Sequence, residues 1–260
     1  YNNTQVEISS TAQDSLGNIW MSNKDGILKY NGHSYTLIKT NEIFPSSQLD
    51  DKVGKIYSGS NHELWIKSQY GLLTKYDAVE GLFHSLDTLI KTPISTLKTI
   101  DSGIIAATEN GNIITYKHDK IKRLFTVPNI DFKGGEIVSI EIIDTNLYVS
   151  TSHGKIYVYS LDTDETKELV GLFTDYPENI ILQADNTNKL WIGTEAHGLF
   201  VYDVIEKKFI QDSFFNGEVD NISNELFYTM YFDDENNIYA GTDGGGLYLI
   251  NSDTGQVNVY

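Results

Sequence analysis

One tryptophan-centred phrase recurs along this chain and constrains its fold more than any other feature. Each copy is an aromatic or apolar anchor inside a short run of strand-forming residues, and a glycine follows a few residues later. The anchors, which are 40 to 48 residues apart, are Trp20, Trp65, Ile105, Tyr148, Trp191 and Tyr239. A repeat of this length with strand chemistry predicts the blades of a β-propeller.

Each repeat divides into four short strands, A to D, joined by turns rich in Asn, Asp and Gly. Strands B and C are apolar or aromatic almost throughout, which indicates sheets that are covered on both faces. We therefore predict an all-β propeller of four-stranded antiparallel blades, forming a single domain over residues 1–260. The blades are placed at about 8–39, 53–87, 94–127, 137–170, 179–213 and 224–260. Two alternatives stay open: six blades that close alone, or six blades of a larger, seven-bladed ring.

The composition argues against several classes of function. The chain has 36 acidic and 19 basic residues and a net charge of −17, which disfavours binding to nucleic acid or to an anionic membrane surface. It has no cysteine, so disulfides and thiolate chemistry are excluded. No apolar run approaches the length of a membrane span, so we expect membrane attachment only through segments outside this chain.

The fifth repeat carries the clearest family signature. Residues 190–203 read Leu-Trp-Ile-Gly-Thr, then Gly-Leu after three further residues, then Tyr-Asp two residues later. This run resembles the propeller repeat of two-component regulators, which forms the ligand-sensing ectodomain of hybrid histidine kinases and related regulators. The resemblance covers essentially the whole chain, although Ile105 and Tyr148 replace tryptophan in repeats three and four. It implies a periplasmic sensor domain, ligands derived from glycans, and an ectodomain that can form a homodimer.

Few residues suggest catalysis. Propeller glycosidases need two carboxylates about 5–10 Å apart. Glu141 and Asp185 are candidates, but aspartate at a strand end is typical of turns. His153 and His197 precede glycines in successive B–C turns, where they either face a shared ligand or metal or are simply exposed turn residues. We predict no catalytic residue, no metal and no cofactor, and we interpret the tryptophans as blade packing.

The predicted binding surface is the face on which the B–C turns and the D–A loops meet. Loops vary over a fixed scaffold, so function is expected where the repeats differ. The candidate ligand-binding residues are Tyr70, His153, His197, Phe44, Phe132, Tyr176, Phe214 and Phe215. The alternative interpretation of the loop aromatics is a hydrophobic lid over the blade ends.

The resemblance thus implies an extracytoplasmic sensing domain that binds an oligosaccharide or another small molecule, and the residues themselves predict that this domain is non-catalytic. A kinase activity would lie elsewhere in a longer protein. Two alternatives from other classes stay open, namely a propeller lyase or hydrolase acting on polysaccharide and a protein-interaction scaffold.

Overall fold

A computed structural model describes residues 7–45, 51–128, 136–169, 179–195, 197–210 and 225–260. It contains six four-stranded antiparallel sheets, each made of four strands consecutive in the chain. The sheets are the blades of a β-propeller, so the predicted fold class is confirmed. The chain divides into two compact units, residues 1–128 and residues 129–260, with three blades in each.

The first unit holds blades 1 to 3 and one helical turn. Its elements are β1 Ser10–Gln13, β2 Ile19–Asn23, β3 Gly26–Tyr30, β4 Tyr35–Lys39, α1 Thr40–Ile43, β5 Val53–Ser58, β6 Glu63–Ser68, β7 Leu73–Asp77, β8 Leu82–Ser85, β9 Ile94–Ile100, β10 Gly103–Thr108, β11 Asn112–Lys117 and β12 Lys120–Thr126. Within each blade these strands are A to D in chain order, as predicted.

The second unit holds blades 4 to 6. Its strands are β13 Ile137–Ile143, β14 Asn146–Thr151, β15 Ile156–Ser160, β16 Thr166–Glu168, β17 Ile181–Ala184, β18 Lys189–Gly193, β19 Leu199–Asp203, β20 Lys208–Phe209, β21 Phe227–Phe232, β22 Asn237–Thr242, β23 Leu247–Asn251 and β24 Val257–Val259. The D strands are the shortest, at two or three residues each.

The aromatic anchor of one blade packs against the next blade along the chain. Trp20, on strand B of blade 1, lies 4.5 Å from the ring of Tyr76 on strand C of blade 2. Trp65 of blade 2 lies 5.6 Å from Tyr116 on strand C of blade 3. In the second unit, Trp191 of blade 5 shares a buried cluster with strands of blade 6. Because aromatic pairs bury large areas, these contacts hold successive blades together.

Five of the six anchors are buried as predicted, with at most 3% of their surface exposed, whereas Tyr239 of blade 6 is 36% exposed. The packing interpretation therefore holds for the tryptophans. The sixth repeat therefore has the predicted strand at this position, but the side chain of its anchor is only partly buried.

Candidate functional site

Five of the six B–C turns on the predicted face carry a hydroxyl side chain at or just after the end of strand B, whereas blade 1 has Asn23 there. In blade 5, the hydroxyl of Thr194 donates to the carbonyl of Gly198 at 2.9 Å and accepts from the backbone N–H of His197 at 2.9 Å. Gly198 has φ of +77°, a conformation that favours glycine. The Thr and Gly of the repeated phrase therefore fix the turn, and they leave the residues between them free to vary.

In blade 2 the same kind of turn is tied to the start of the blade. The backbone N–H of Gln69 donates to the carbonyl of Lys52 at 2.8 Å. The buried carboxylate of Asp51 accepts from the backbone N–H of Lys52 at 2.9 Å and from that of Tyr70 at 3.4 Å. These bonds hold the Tyr70 turn against the segment that enters strand A.

A cavity of about 260 Å³, to which mainly polar residues contribute, opens on this face between blades 1 and 2. Its lining residues are Glu7, Ser9, Asn23, Lys24, Lys52, Val53, Gly54 and Gln69. They come from the B–C turns of the two blades and from the segments that enter their A strands. Two ammonium groups, two amides and one carboxylate therefore surround one opening.

Asn23 is the most buried polar group of this cavity. Only 8% of its surface is exposed, and its Oδ1 accepts the backbone N–H of Asp25 at 2.9 Å. Its Nδ2 has no partner among the described residues, so it can donate to a ligand. The amide is held in one orientation by the turn, which is the preorganisation that a binding group needs.

The predicted site residues differ in exposure and lie in different parts of the chain. Tyr70 stands in the β6–β7 turn and is 54% exposed. His153 is exposed in the β14–β15 turn, and His197 is half-buried in the β18–β19 turn. Tyr70 lies in the first unit and the two histidines lie in the second. Among the described residues there is no group of three or more metal-ligating side chains.

Phe44 was predicted to lie on an exposed aromatic rim, and for this residue the prediction is wrong. Its ring is completely buried in the core between blades 1 and 2, beside Ile43 from the one-turn helix α1. The hydroxyl of Thr74 on blade 2 donates to the carbonyl of Ile43 at 2.9 Å and anchors this loop. Phe44 therefore acts as the hydrophobic lid and is withdrawn from the candidate surface. The other loop aromatics, Phe132, Tyr176, Phe214 and Phe215, lie outside the described residues.

Asp185, one of the two candidate catalytic carboxylates, serves the fold. Its Oδ1 accepts the backbone N–H groups of Thr187 and Lys189, and its Oδ2 accepts the indole N–H of Trp191. Its side chain is fully buried. Glu141 is also buried, with 3% of its surface exposed. A carboxylate in either position is shielded from a polysaccharide substrate.

The predicted site residues were mainly loop aromatics and did not include Asn23, Lys52 and Gln69. The available signal was positional, because all three stand at or beside a B–C turn or an A-strand entry, where the repeats differ. No helix of the described residues is long and apolar enough to span a membrane.

No protein-family model matches this chain. Over 154 residues, or 56% of the chain, it is 24% identical to a protein named histidine kinase P4 from Formosa agariphila, and the match covers 11% of that kinase.

Two solved extracellular domains from B. thetaiotaomicron have a similar fold. That of the hybrid two-component system BT4673 superposes with a TM-score of 0.74 at 22% identity, covering 100% of this chain and 34% of that one. That of BT3049 gives a TM-score of 0.74 at 17% identity, covering 98% of this chain and 35% of that one. The chain therefore spans about a third of these ectodomains. The predicted resemblance to two-component propeller ectodomains is confirmed at the level of the fold.

Proposed function

We propose that this chain is an extracytoplasmic sensing domain of a two-component-type regulator, and that it binds a glycan-derived ligand without catalysis. The observation that carries this proposal is the propeller fold shared over nearly the whole chain with ectodomains of hybrid two-component systems. Fold alone does not define function, so the proposal also needs a site.

The cavity between blades 1 and 2 on the B–C-turn face would be that site. Its amides and ammonium groups suit hydroxyl oxygens, and the exposed ring of Tyr70 stands on the adjoining turn. Ligand pockets for drug-sized molecules are about 300–1,000 Å³. A cavity of about 260 Å³ therefore fits one sugar ring of a longer chain, with neighbouring rings lying over the turns.

Sensing would require the ligand to bind two states of the ectodomain with different affinity. A homodimer formed through the ectodomain offers such states, and the kinase or regulator output would lie outside this chain. The buried positions of Asp185 and Glu141 support a binding role over hydrolysis.

The test is isothermal titration of a panel of neutral oligosaccharides into the wild type and into Tyr70→Ala and Lys52→Met. Tyr231→Ala is the matched control, because Tyr231 is 65% exposed on strand A of blade 6. We expect both site variants to weaken binding by about tenfold and the control to bind like the wild type. Binding unchanged in both site variants, or release of new reducing ends from any bound glycan, would refute the proposal.

A further inference from the structure

A second, larger cavity lies between blades 1 and 2 at the opposite ends of the strands. Its volume is about 400 Å³. It is reached from the A–B and C–D turns, whereas the cavity described above is reached from the B–C turns. Its principal polar and aromatic lining residues are Asn18, Lys29, Asn31, Thr36, Tyr76 and Phe83.

Lys29 gives this cavity its charge. Its Nζ lies 4.8 Å from the ring centre of Trp20 and 5.5 Å from that of Tyr76, and it donates to the Tyr76 hydroxyl at 3.4 Å. Cation–π contacts of this kind hold an ammonium group without neutralising it. Lys29 forms no ion pair with any carboxylate of the described chain, although acidic residues outnumber basic ones almost two to one.

The remaining lining groups add oriented hydrogen-bonding atoms. Asn31 uses its Oδ1 to accept the backbone N–H groups of His33 and Ser34 at 3.0 and 2.9 Å. This leaves its Nδ2 as a donor without a partner in the described structure. Asn18 is the converse case, because its Nδ2 donates to Asp14 and its Oδ1 is left as an acceptor. The turns on which these amides stand thus fix one donor and one acceptor.

One wall of the cavity is aromatic. Phe83, on strand D of blade 2, is half-buried, and its ring lies 4.8 Å from that of Tyr76 at an angle of 42°. An aromatic wall favours a ligand with a carbon skeleton over a bare inorganic anion. The single ammonium group of Lys29 favours a ligand with one negative charge. The two asparagine amides and Thr36 favour a ligand that carries hydroxyl groups.

We infer that this cavity is a binding site for a compact, hydroxylated organic carboxylate of the uronic acid type. The carboxylate would pair with Lys29 and the Asn31 amide, and the C–H face would lie against Phe83. This site is separate from the B–C-turn face and does not depend on the ligand proposed there.

The test is titration of methyl β-D-glucuronide, with methyl β-D-glucoside and inorganic phosphate as parallel probes. The wild type should bind the glucuronide at least about tenfold more tightly than the glucoside, since charge-assisted hydrogen bonds are the stronger class. Lys29→Met, which keeps the apolar stem over Trp20, should weaken glucuronide binding about tenfold or more, and Lys29→Arg should restore most of it. Lys122→Met, the same charge change at an exposed position in β12, should have no effect.

Several outcomes would overturn the inference. These are equal binding of glucuronide and glucoside, phosphate binding as tight as glucuronide binding, or Lys29→Met binding like the wild type. Phe83→Leu provides a second variant that leaves the charge in place, and it should weaken glucuronide binding with little effect on phosphate. Tyr70→Ala and Lys52→Met should leave glucuronide binding unchanged, and a loss in these two would place the glucuronide on the other face. Thermal melting of each variant verifies that it is folded.

Discussion

Asp185 and Trp191 are joined by a hydrogen bond of 3.1 Å from the indole Nε1 to the carboxylate Oδ2. Asp14 and Trp20, also six residues apart, repeat this bond in blade 1 at 2.8 Å. In both blades the other carboxylate oxygen accepts the backbone N–H groups two and four residues further on. One aspartate thus closes the A–B turn and orients the tryptophan that packs between blades.

Replacing Asp185 should therefore destabilise the protein more than replacing an ordinary turn aspartate. Asp185→Ala removes the acceptor of a buried indole, of two backbone N–H groups and of the Thr187 hydroxyl, and it removes an ion pair with Lys189 at 4.0 Å. We therefore expect a loss of about 1–3 kcal/mol in unfolding free energy. Asp203→Ala is the matched control, because within the described residues the Asp203 side chain accepts two backbone N–H groups, from Ile205 and Glu206, and no indole. Urea unfolding measures both variants, and an equal loss in the two would contradict a role for the indole bond.

Trp65 provides a natural test of the same bond. Glycine at position 59 replaces the aspartate found six residues before Trp20 and Trp191, and the buried Nε1 of Trp65 has no partner in the described structure. Exchanging tryptophan for phenylalanine removes similar volume in both blades but a hydrogen bond only in blade 5. We expect Trp191→Phe to cost about 1 kcal/mol more than Trp65→Phe in chemical denaturation. Equal costs would show that the bond contributes nothing measurable.

Asp14 should make stability depend on pH in the acid range. Burial raises its pKa, but hydrogen bonds from Asn18, Trp20 and the backbone outweigh this effect and bring the pKa below its ordinary value. The folded state therefore binds the carboxyl proton of Asp14 less tightly than the unfolded chain does. The stabilisation is complete above about pH 4 and is lost as the pH falls through the folded-state pKa. Asp14→Asn should thus be less stable than the wild type at pH 7, and the difference should narrow towards about pH 2. A difference in unfolding free energy that stays constant across this range would contradict this account.

Gly71 is predicted to tolerate no side chain. Its φ is +83°, and an added Cβ would lie 2.7 Å from the backbone N of Ile94 at the start of blade 3. Gly32 has a similar φ of +91° but no atom within 4 Å of the added Cβ, so Gly32→Ala measures the backbone strain alone. We expect Gly71→Ala to lower the unfolding free energy by about 1–3 kcal/mol more than Gly32→Ala, because overpacking adds to the strain. Thermal melting measures both variants. Equal destabilisation would contradict the close contact between a Cβ at position 71 and the backbone of Ile94.

The repeated phrase predicted the blades because each of its residues has a local task. Tryptophan and tyrosine pack between blades, Thr and Gly close the B–C turn, and the aspartate after the tyrosine closes the C–D turn, as Asp203 does. These tasks depend on neighbours within a few residues or at equivalent positions of the next repeat, so sequence spacing reveals them.

The cavities could not be predicted in the same way. Lys29 and Phe83 are separated by more than fifty positions and meet only because blades 1 and 2 pack face to face. The burial of Phe44 depends on the helical turn α1, which four residues form between two blades. Neither feature has a repeated counterpart, so the repeat pattern carries no signal for it.

Hydrogen–deuterium exchange with a bound neutral oligosaccharide can both locate the ligand on this chain and reveal whether it is cleaved. If the chain is a sensing domain that binds on its B–C-turn face, the ligand should slow exchange in the segments around Asn23, Lys52 and Tyr70, and the oligosaccharide should be recovered intact. Slowed exchange confined to the A–B turns around Asn18 and His62, or recovery of a cleaved oligosaccharide, would contradict it.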